Sequence, residues 1–302
     1  MASHPISRFQ ALLMVALIVF WGSSFVVVKV LLGEGLSPIA VATYRFLIAG
    51  ALFLFALFIK KRITPNYKLG VKRKDLLILL VLALTGVTFF FTVQYTGIQL
   101  AGASIAAILV CLLSPILITV FSARLFGDRL KKWQVIGIIV AVTGTLLVVS
   151  ADTLNLKGNM QFLVGTLILL STPVMWAIYS IGGQKIMQKY DAFLVVSYVS
   201  LLGGLCLIPF SIADNSLLQI VTLNTNQWLG ILYQSFTCSV LGYYIWFYVL
   251  KKAGPTASTF LFAEPLITSI FAVTFVNEVL YPSVIAGGIL IFIGVFIVTR
   301  KG

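Results

Sequence analysis

Ten apolar stretches follow one another along this chain, each close to the roughly 20 residues that a helix needs to cross a hydrocarbon core. They lie at 9–31, 37–59, 75–96, 101–123, 133–151, 160–183, 192–212, 227–250, 254–276 and 281–299. Inside lipid every backbone N–H and C=O must be satisfied without water, and segments of this length do so as helices. The pattern predicts an all-α integral membrane protein with ten transmembrane helices. Composition agrees: 60% of the residues are apolar and only 10% are charged, against about 25% charged in soluble globules. The first stretch is too long for a signal peptide and has no small-residue cleavage site before Lys29.

The net charge of +13 invites a nucleic-acid reading, but the basic residues punctuate apolar segments instead of gathering on one soluble face. Their distribution is a topology signal, because cytoplasmic loops are enriched in Lys and Arg. With the N-terminus inside, the cytoplasmic segments hold Arg8; Lys60, Lys61, Arg62, Lys68, Lys72, Arg73 and Lys74; Arg124, Arg129, Lys131 and Lys132; Lys185 and Lys189; Lys251 and Lys252; and Arg300 and Lys301. The outer segments hold only Lys157, while Lys29 and Arg45 fall within spans. The asymmetry predicts both termini in the cytoplasm and a protein of the inner or plasma membrane. The weakest boundary lies between the third and fourth stretches, where Thr96 to Leu100 carries no charge to mark a turn.

The chain also resembles itself. At an offset of 150, Pro115 falls over Pro265, Asp128 over Glu278, Leu130 over Leu280, Gly137 over Gly287 and Gly144 over Gly294. At a slightly larger offset Trp21 matches Trp176, Lys29 matches Lys185, and Tyr44 matches Tyr198. Five spans per copy is an odd number, so the copies, 9–151 and 160–300, are expected to sit upside down relative to one another. Inverted repeats of this kind are typical of secondary transporters, with the substrate site near the midplane between the halves.

Several motifs carry a family likeness: Phe-Trp-Gly-Ser-Ser-Phe at 20–25, Ser-Pro-Ile-Ala-Val-Ala-Thr-Tyr-Arg-Phe at 37–46, Leu-Ser-Pro-Ile at 113–116, Phe-Gly-Asp-Arg-Leu at 126–130 and Ala-Glu-Pro-Leu at 263–266. With these the chain resembles the drug/metabolite transporter superfamily, and within it the ten-helix EamA-like branch. The resemblance covers almost the whole chain. It implies a ten-helix inverted-repeat exporter or permease for small metabolites, often amino acids or related compounds. Asn277-Glu278 departs from the Gly-Glu or Gly-Asp usual there in the family.

Ionisable groups within spans are costly and mark function by default. Glu264 lies about ten residues into the ninth stretch, roughly 15 Å deep at 1.5 Å per residue. It is a candidate substrate-amine or proton-coupling group, or else a structural partner of Arg45 or of a helix opened by Pro265. Arg45, about eight residues into the second stretch and so roughly 12 Å deep, is either an anchor for a substrate carboxylate or a structural guanidinium. Lys29 belongs near the outer interface, as a structural or gate contact.

Trp21 and Trp176 are repeat-related and away from the interfacial belts, and the eighth stretch adds Tyr244 and Trp246. Ser24, Gln94, Ser104 and Tyr179 are candidate hydrogen-bonders. Together with Glu264 these residues are expected to line a cavity, unless they simply pack helices. Pro115, Pro173 and Pro265 each deprive a carbonyl of its partner and are candidate kinks or hinges. The glycines of the fifth and tenth stretches suit a packing or dimer surface, so the protein is expected to be a monomer or homodimer.

A lone histidine, His4, and three scattered cysteines supply no metal site, cofactor site or disulfide frame. With Glu264 the only carboxylate near the midplane, an intramembrane enzyme lacks its catalytic pair. The sequence predicts a transporter working by alternating access on a small-molecule substrate, with membrane lipids around it and protons as an available coupling ion. A membrane receptor or assembly factor is the alternative.

Overall fold

The computed structural model describes residues 7–126, 130–150, 160–253 and 260–299. Asp128, Arg129, Lys157, Arg300 and Lys301, used above for topology and repeat, lie outside them. Ten helices run in chain order: α1 (Arg8–Gly33), α2 (Pro38–Ile63), α3 (Arg73–Ala101), α4 (Ala103–Phe126), α5 (Lys132–Val149), α6 (Met160–Met187), α7 (Ala192–Ala213), α8 (225–253), α9 (Glu264–Val276) and α10 (Pro282–Thr299). No strand occurs among the described residues.

Eight of these helices are long and apolar enough to cross a membrane. The other two are α8, with Gln234, Ser235, Thr237 and Ser239 in its middle, and α9, preceded by a short 3-10 turn from Phe260. The ninth stretch therefore differs from the expected helix over 254–276: its α-helix starts at Glu264, and 254–259 is not described.

Local chemistry sets the helix starts. Ser7 and Gln10 form a capping box on α1, Ser37 caps α2 ahead of Pro38, and Asn224 and Gln227 form a capping box on α8. The uncharged turn between α3 and α4 is a single residue, Gly102, at φ +102°, a conformation that L side chains resist. Asn277, at φ +52°, ends α9 in the left-handed region. Asn tolerates that region best after Gly, which accounts for the departure from the family's usual glycine.

Helix pairing follows a rule. α2 packs along α7 and α5 along α10; α1 packs on α8 and α9, and α6 packs on α3 and α4. Each contact maps onto another, or onto itself, when every helix is exchanged for the one five places away. At the α5–α10 crossing the glycines oppose one another reciprocally: Gly137 faces Gly294 and Gly144 faces Gly287, so the two helices run antiparallel. The outer faces of this pair, Ile139, Leu146 and Phe296 among them, are exposed for lipid. The repeat-related Tyr44 and Tyr198 also act alike: Tyr44 donates to the Ser216 carbonyl after α7, and Tyr198 to the Leu69 carbonyl after α2 at 3.1 Å.

Other pairs break the rule: α4 packs on α10, α1 on α4 and α1 on α3, but no comparable contact joins α9 to α5, α6 to α9 or α6 to α8 among the described residues.

At the Lys/Arg-rich end, Asp191 caps α7 while accepting from Tyr67 Oη at 2.7 Å and Lys60 Nζ at 3.1 Å. Partial burial raises its pKa, but these donors outweigh that effect and hold the carboxyl below the usual aspartate range. A depressed pKa means that the ion pair stabilises the fold above about pH 4 and is lost as pH falls through the folded-state value. Both partners are partly exposed, so Asp191→Asn, which keeps the cap, is expected to cost under about 1 kcal/mol at neutral pH. Thermal midpoints should converge with those of the wild type on acidification; a gap that widens in acid would refute the assignment.

Candidate functional site

The buried polar groups gather where α1, α2, α3 and α8 meet at mid-bundle. Two of these helices are locally unwound into π segments: Leu84–Thr88 in α3 and Tyr233–Leu241 in α8, at repeat-equivalent positions. A π segment leaves carbonyls without i→i+4 partners, and such segments are frequent at functional sites. Here side chains use what the unwinding exposes. Trp21 Nε1 donates to the Cys238 carbonyl at 2.9 Å, Ser239 Oγ to the Gln234 carbonyl at 3.0 Å, and Thr88 Oγ1 to the Ala83 carbonyl five residues back at 3.4 Å.

Arg45 is the centre of this cluster and is only 4% exposed. Its Nη1 donates to Tyr95 Oη at 2.7 Å and, more weakly, to Ser24 Oγ at 3.4 Å; its Nε donates to Ser239 Oγ at 3.1 Å. The guanidinium also sits 4.7 Å from the Phe91 ring centroid and 5.2 Å from that of Phe46. Ser24 Oγ donates in turn to Gln234 Oε1 at 2.7 Å, and Gln234 Nε2 to the Ser24 carbonyl at 2.8 Å. No carboxylate forms an ion pair with Arg45 among the described residues.

Glu264, 8% exposed, begins α9 beside the middle of α1: its carbonyl lies against Gly22, and Thr268 Oγ1 donates to the Gly22 carbonyl at 2.9 Å. Its carboxyl approaches the Cys111 thiol on α4. Pro115, one turn after Cys111, has no N–H for the Cys111 carbonyl, so α4 carries a freed acceptor at that residue. The Arg45–Glu264 pairing, one of the structural alternatives, is not formed as an ion pair among the described residues. Tyr243 and Cys238 lie within electrostatic reach of both charges.

The remaining expectations divide. Trp21 packs edge-on to Tyr243 at 5.8 Å and against Trp246 at 6.1 Å, with Ser24 one turn away. Trp176 lies between Phe90, 5.3 Å away, and Tyr179, 5.2 Å away, tilted to both rings. Tyr179 lies over Gly86 in the π segment of α3, where a Cβ would sit 2.3 Å from the ring. Gln94 is buried and makes no side-chain hydrogen bond to the described residues. Tyr244, by contrast, is 58% exposed and stacks on Tyr248 along the outside of α8, so it faces lipid and not the cluster.

Ser104 also leaves the cluster: its Oγ and N–H bind Glu278, at the bundle end opposite the Lys/Arg-rich loops. Lys29 sits at that same end, donating to the Ile98 and Gln99 carbonyls at 3.1 and 3.2 Å and so capping α3. The prolines differ in role. Pro173 breaks α6 near Leu170, and the hydroxyls of Ser171 and Thr172 recapture the Ile168 and Leu169 carbonyls, each at 2.7 Å. Pro265 occupies the first turn of α9, where its missing N–H costs nothing, so it starts a helix and does not kink one.

Tyr95, Tyr233, Gln234 and Ser239 were not among the sequence candidates. A signal was present in the polar run of the eighth stretch, but π geometry spaces Gln234 and Ser239 five apart onto one face, where an α-helical reading separates them.

Apolar helices long enough to cross a membrane, with a polar cluster buried among them around Arg45, define a multi-pass membrane protein. The chain belongs to the EamA-like transporter family, whose profile it matches twice, over residues 8–150 and 163–300. An uncharacterized transporter of Archaeoglobus fulgidus is 30% identical over 96% of this chain and 97% of its own length. A probable amino-acid metabolite efflux pump of Salmonella typhimurium is 27% identical over 96% of this chain and 95% of its own. A solved crystal structure shares the fold at TM-score 0.62 and 18% identity, covering 97% of this chain and 98% of the other.

Proposed function

We propose that this protein carries small metabolites, amino acids or related compounds, across the inner or plasma membrane by alternating access. The halves 9–151 and 160–300 act as inverted copies rocking around the midplane cluster, with both termini in the cytoplasm. The observation that carries the reading is a pair of buried ionisable groups of opposite sign, Arg45 from the first half and Glu264 from the second, neither in an ion pair. A purely structural role would leave the permanently charged Arg45 desolvated with no counter-charge and a carboxyl that must stay protonated to be buried. A zwitterion placed between them compensates both.

The pairing rule and the twin π segments support the inverted repeat. The exceptions support alternation, since α4–α10, α1–α4 and α1–α3 are packed while their counterparts in the other half are not comparably packed. The printed description of the Salmonella relative supports the substrate class.

Glu264 is the proton-coupling candidate, because it is the one described carboxylate at mid-depth. In proteoliposomes loaded with radiolabelled amino acids, Glu264→Gln is expected to keep exchange but lose acceleration by a pH gradient, by about tenfold or more. Normal pH-gradient-driven flux in Glu264→Gln would remove Glu264 from coupling.

A further inference from the structure

We infer that Arg45 and Tyr95 form the subsite for a carboxylate of the transported molecule; this rests on the transport reading above and specifies which group of the substrate goes where. Arg45 keeps its positive charge at any depth, because its guanidinium does not give up its proton at accessible pH. A cation buried to this degree is normally matched by an anion, and the described residues place none beside it. What surrounds it is neutral: the hydroxyls of Tyr95, Ser24 and Ser239 and the faces of Phe91 and Phe46.

The donor inventory points the same way. Nε and Nη1 of Arg45 are engaged, but Nη2 donates to nothing among the described residues. Tyr95 Oη accepts from Arg45 Nη1, and its own proton has no acceptor there. Ser24 and Ser239 have already committed their protons, to Gln234 Oε1 and the Gln234 carbonyl. The cluster thus presents a charged N–H and a neighbouring O–H, joined at 2.7 Å, with an acceptor missing from both. Two adjacent donors around a positive charge match the two oxygens of a carboxylate. The guanidinium is also prevented from turning away, because Ser239 and Ser24 hold it from two sides through the π segment of α8 and the middle of α1. An amide or ester in the same place would present one carbonyl oxygen, no charge, and a group unable to accept from the second donor.

The test uses the full-length protein in detergent and, as probes, the proteinogenic L-amino acids alongside their C-terminal amides. Thermal stabilisation is titrated for each. The wild type is expected to bind its preferred acids at about tenfold or more lower concentration than the matched amides. Arg45→Lys and Arg45→Gln should bring that ratio close to one, and Tyr95→Phe should lower it by about tenfold while leaving the guanidinium in place. Should Arg45→Gln not be recovered folded, Tyr95→Phe and Arg45→Lys decide the matter. Amides that bind as well as acids, no binding by any acid, or a wild-type ratio in the Arg45 variants would each overturn the subsite. Flux separates this from the transport reading: acid-selective binding without flux in liposomes sinks transport and leaves the subsite, whereas amine or amide flux with no preference for acids does the reverse.

Discussion

Gly287→Ala is expected to unfold this protein at markedly lower temperature, while Gly288→Ala, one residue along the same helix, changes little. A Cβ at Gly287 would sit 2.6 Å from the Gly144 carbonyl oxygen and 3.1 Å from the Val148 nitrogen, both backbone atoms that cannot rotate away. At Gly288 the nearest atom is the tip of Ile108 at 3.5 Å, an ordinary contact. Three further positions repeat the first situation: Gly144 against the Gly287 carbonyl at 2.6 Å, Gly137 against that of Gly294 at 2.7 Å, and Gly294 against that of Gly137 at 2.5 Å. One methyl group there forces the whole α5–α10 crossing apart. Overpacking of this kind costs about 1–3 kcal/mol per site, and Gly144→Val, with two more methyls, should exceed it. Gly288→Ala gains helix propensity of up to about 1 kcal/mol and loses nothing. Size-exclusion thermal melts of the purified variants measure the contrast. Equal midpoints for Gly287→Ala and Gly288→Ala would show that α5 and α10 are not locked by backbone contact.

That crossing is also where the sequence was most informative. Glycines seven apart on two spans at an offset of 150 pointed to close packing of the fifth and tenth helices, and these glycines do oppose one another. Run length and hydropathy likewise placed nine of the ten helices within a few residues, because both properties are local. What failed to show was non-local or non-α. The uncharged turn between the third and fourth stretches was expected at Thr96–Leu100 and lies a few residues on, at Gly102. The π segments follow no periodicity that a single sequence displays, so Gln234 and Ser239 were passed over while Tyr244, in the same aromatic run, was put on the wrong face. Ser104 was misplaced for a related reason: whether a serine at a span end meets substrate or a carboxylate 174 residues away is decided by tertiary contact. The same holds for Arg45 and Glu264, two charges whose depth was readable and whose lack of mutual pairing was not.

Glu278→Ala is expected to open the bundle at the end opposite the Lys/Arg-rich loops. The Glu278 carboxylate accepts from the Ala103 N–H at 2.6 Å, the Ser104 N–H at 3.0 Å and Ser104 Oγ at 2.7 Å, filling the unsatisfied first turn of α4 with negative charge. Gly102 permits the approach, since a Cβ there would sit 2.8 Å from the carboxylate. Lys29, reaching across from α1, holds the last carbonyls of α3 on the other side of the same one-residue turn. The α3–α4 hairpin is thus pinned at its tip by two elements that belong to opposite halves, helix α1 and the loop before α10, and any opening at this end must release both. Hydrogen bonds to a charged group contribute about 1.5–3 kcal/mol each in net terms. If only about 2–3 kcal/mol of the clamp distinguishes the closed from the open arrangement, its loss shifts their ratio by roughly 30- to 150-fold. The fully buried Ala107, one turn into α4, supplies the reporter. With Cys111, Cys206 and Cys238 replaced by Ala, Ala107→Cys should react with a membrane-impermeant maleimide slowly in the otherwise native chain and much faster in the Glu278→Ala and Gly102→Ala backgrounds. Lys29→Met should give an intermediate rate, because it removes one of the two pins. Labelling from the Lys/Arg-rich side should fall in the same variants, since a protein that alternates cannot populate both openings at once. Unchanged rates in a folded Glu278→Ala protein would mean that the clamp fixes the loop without governing access.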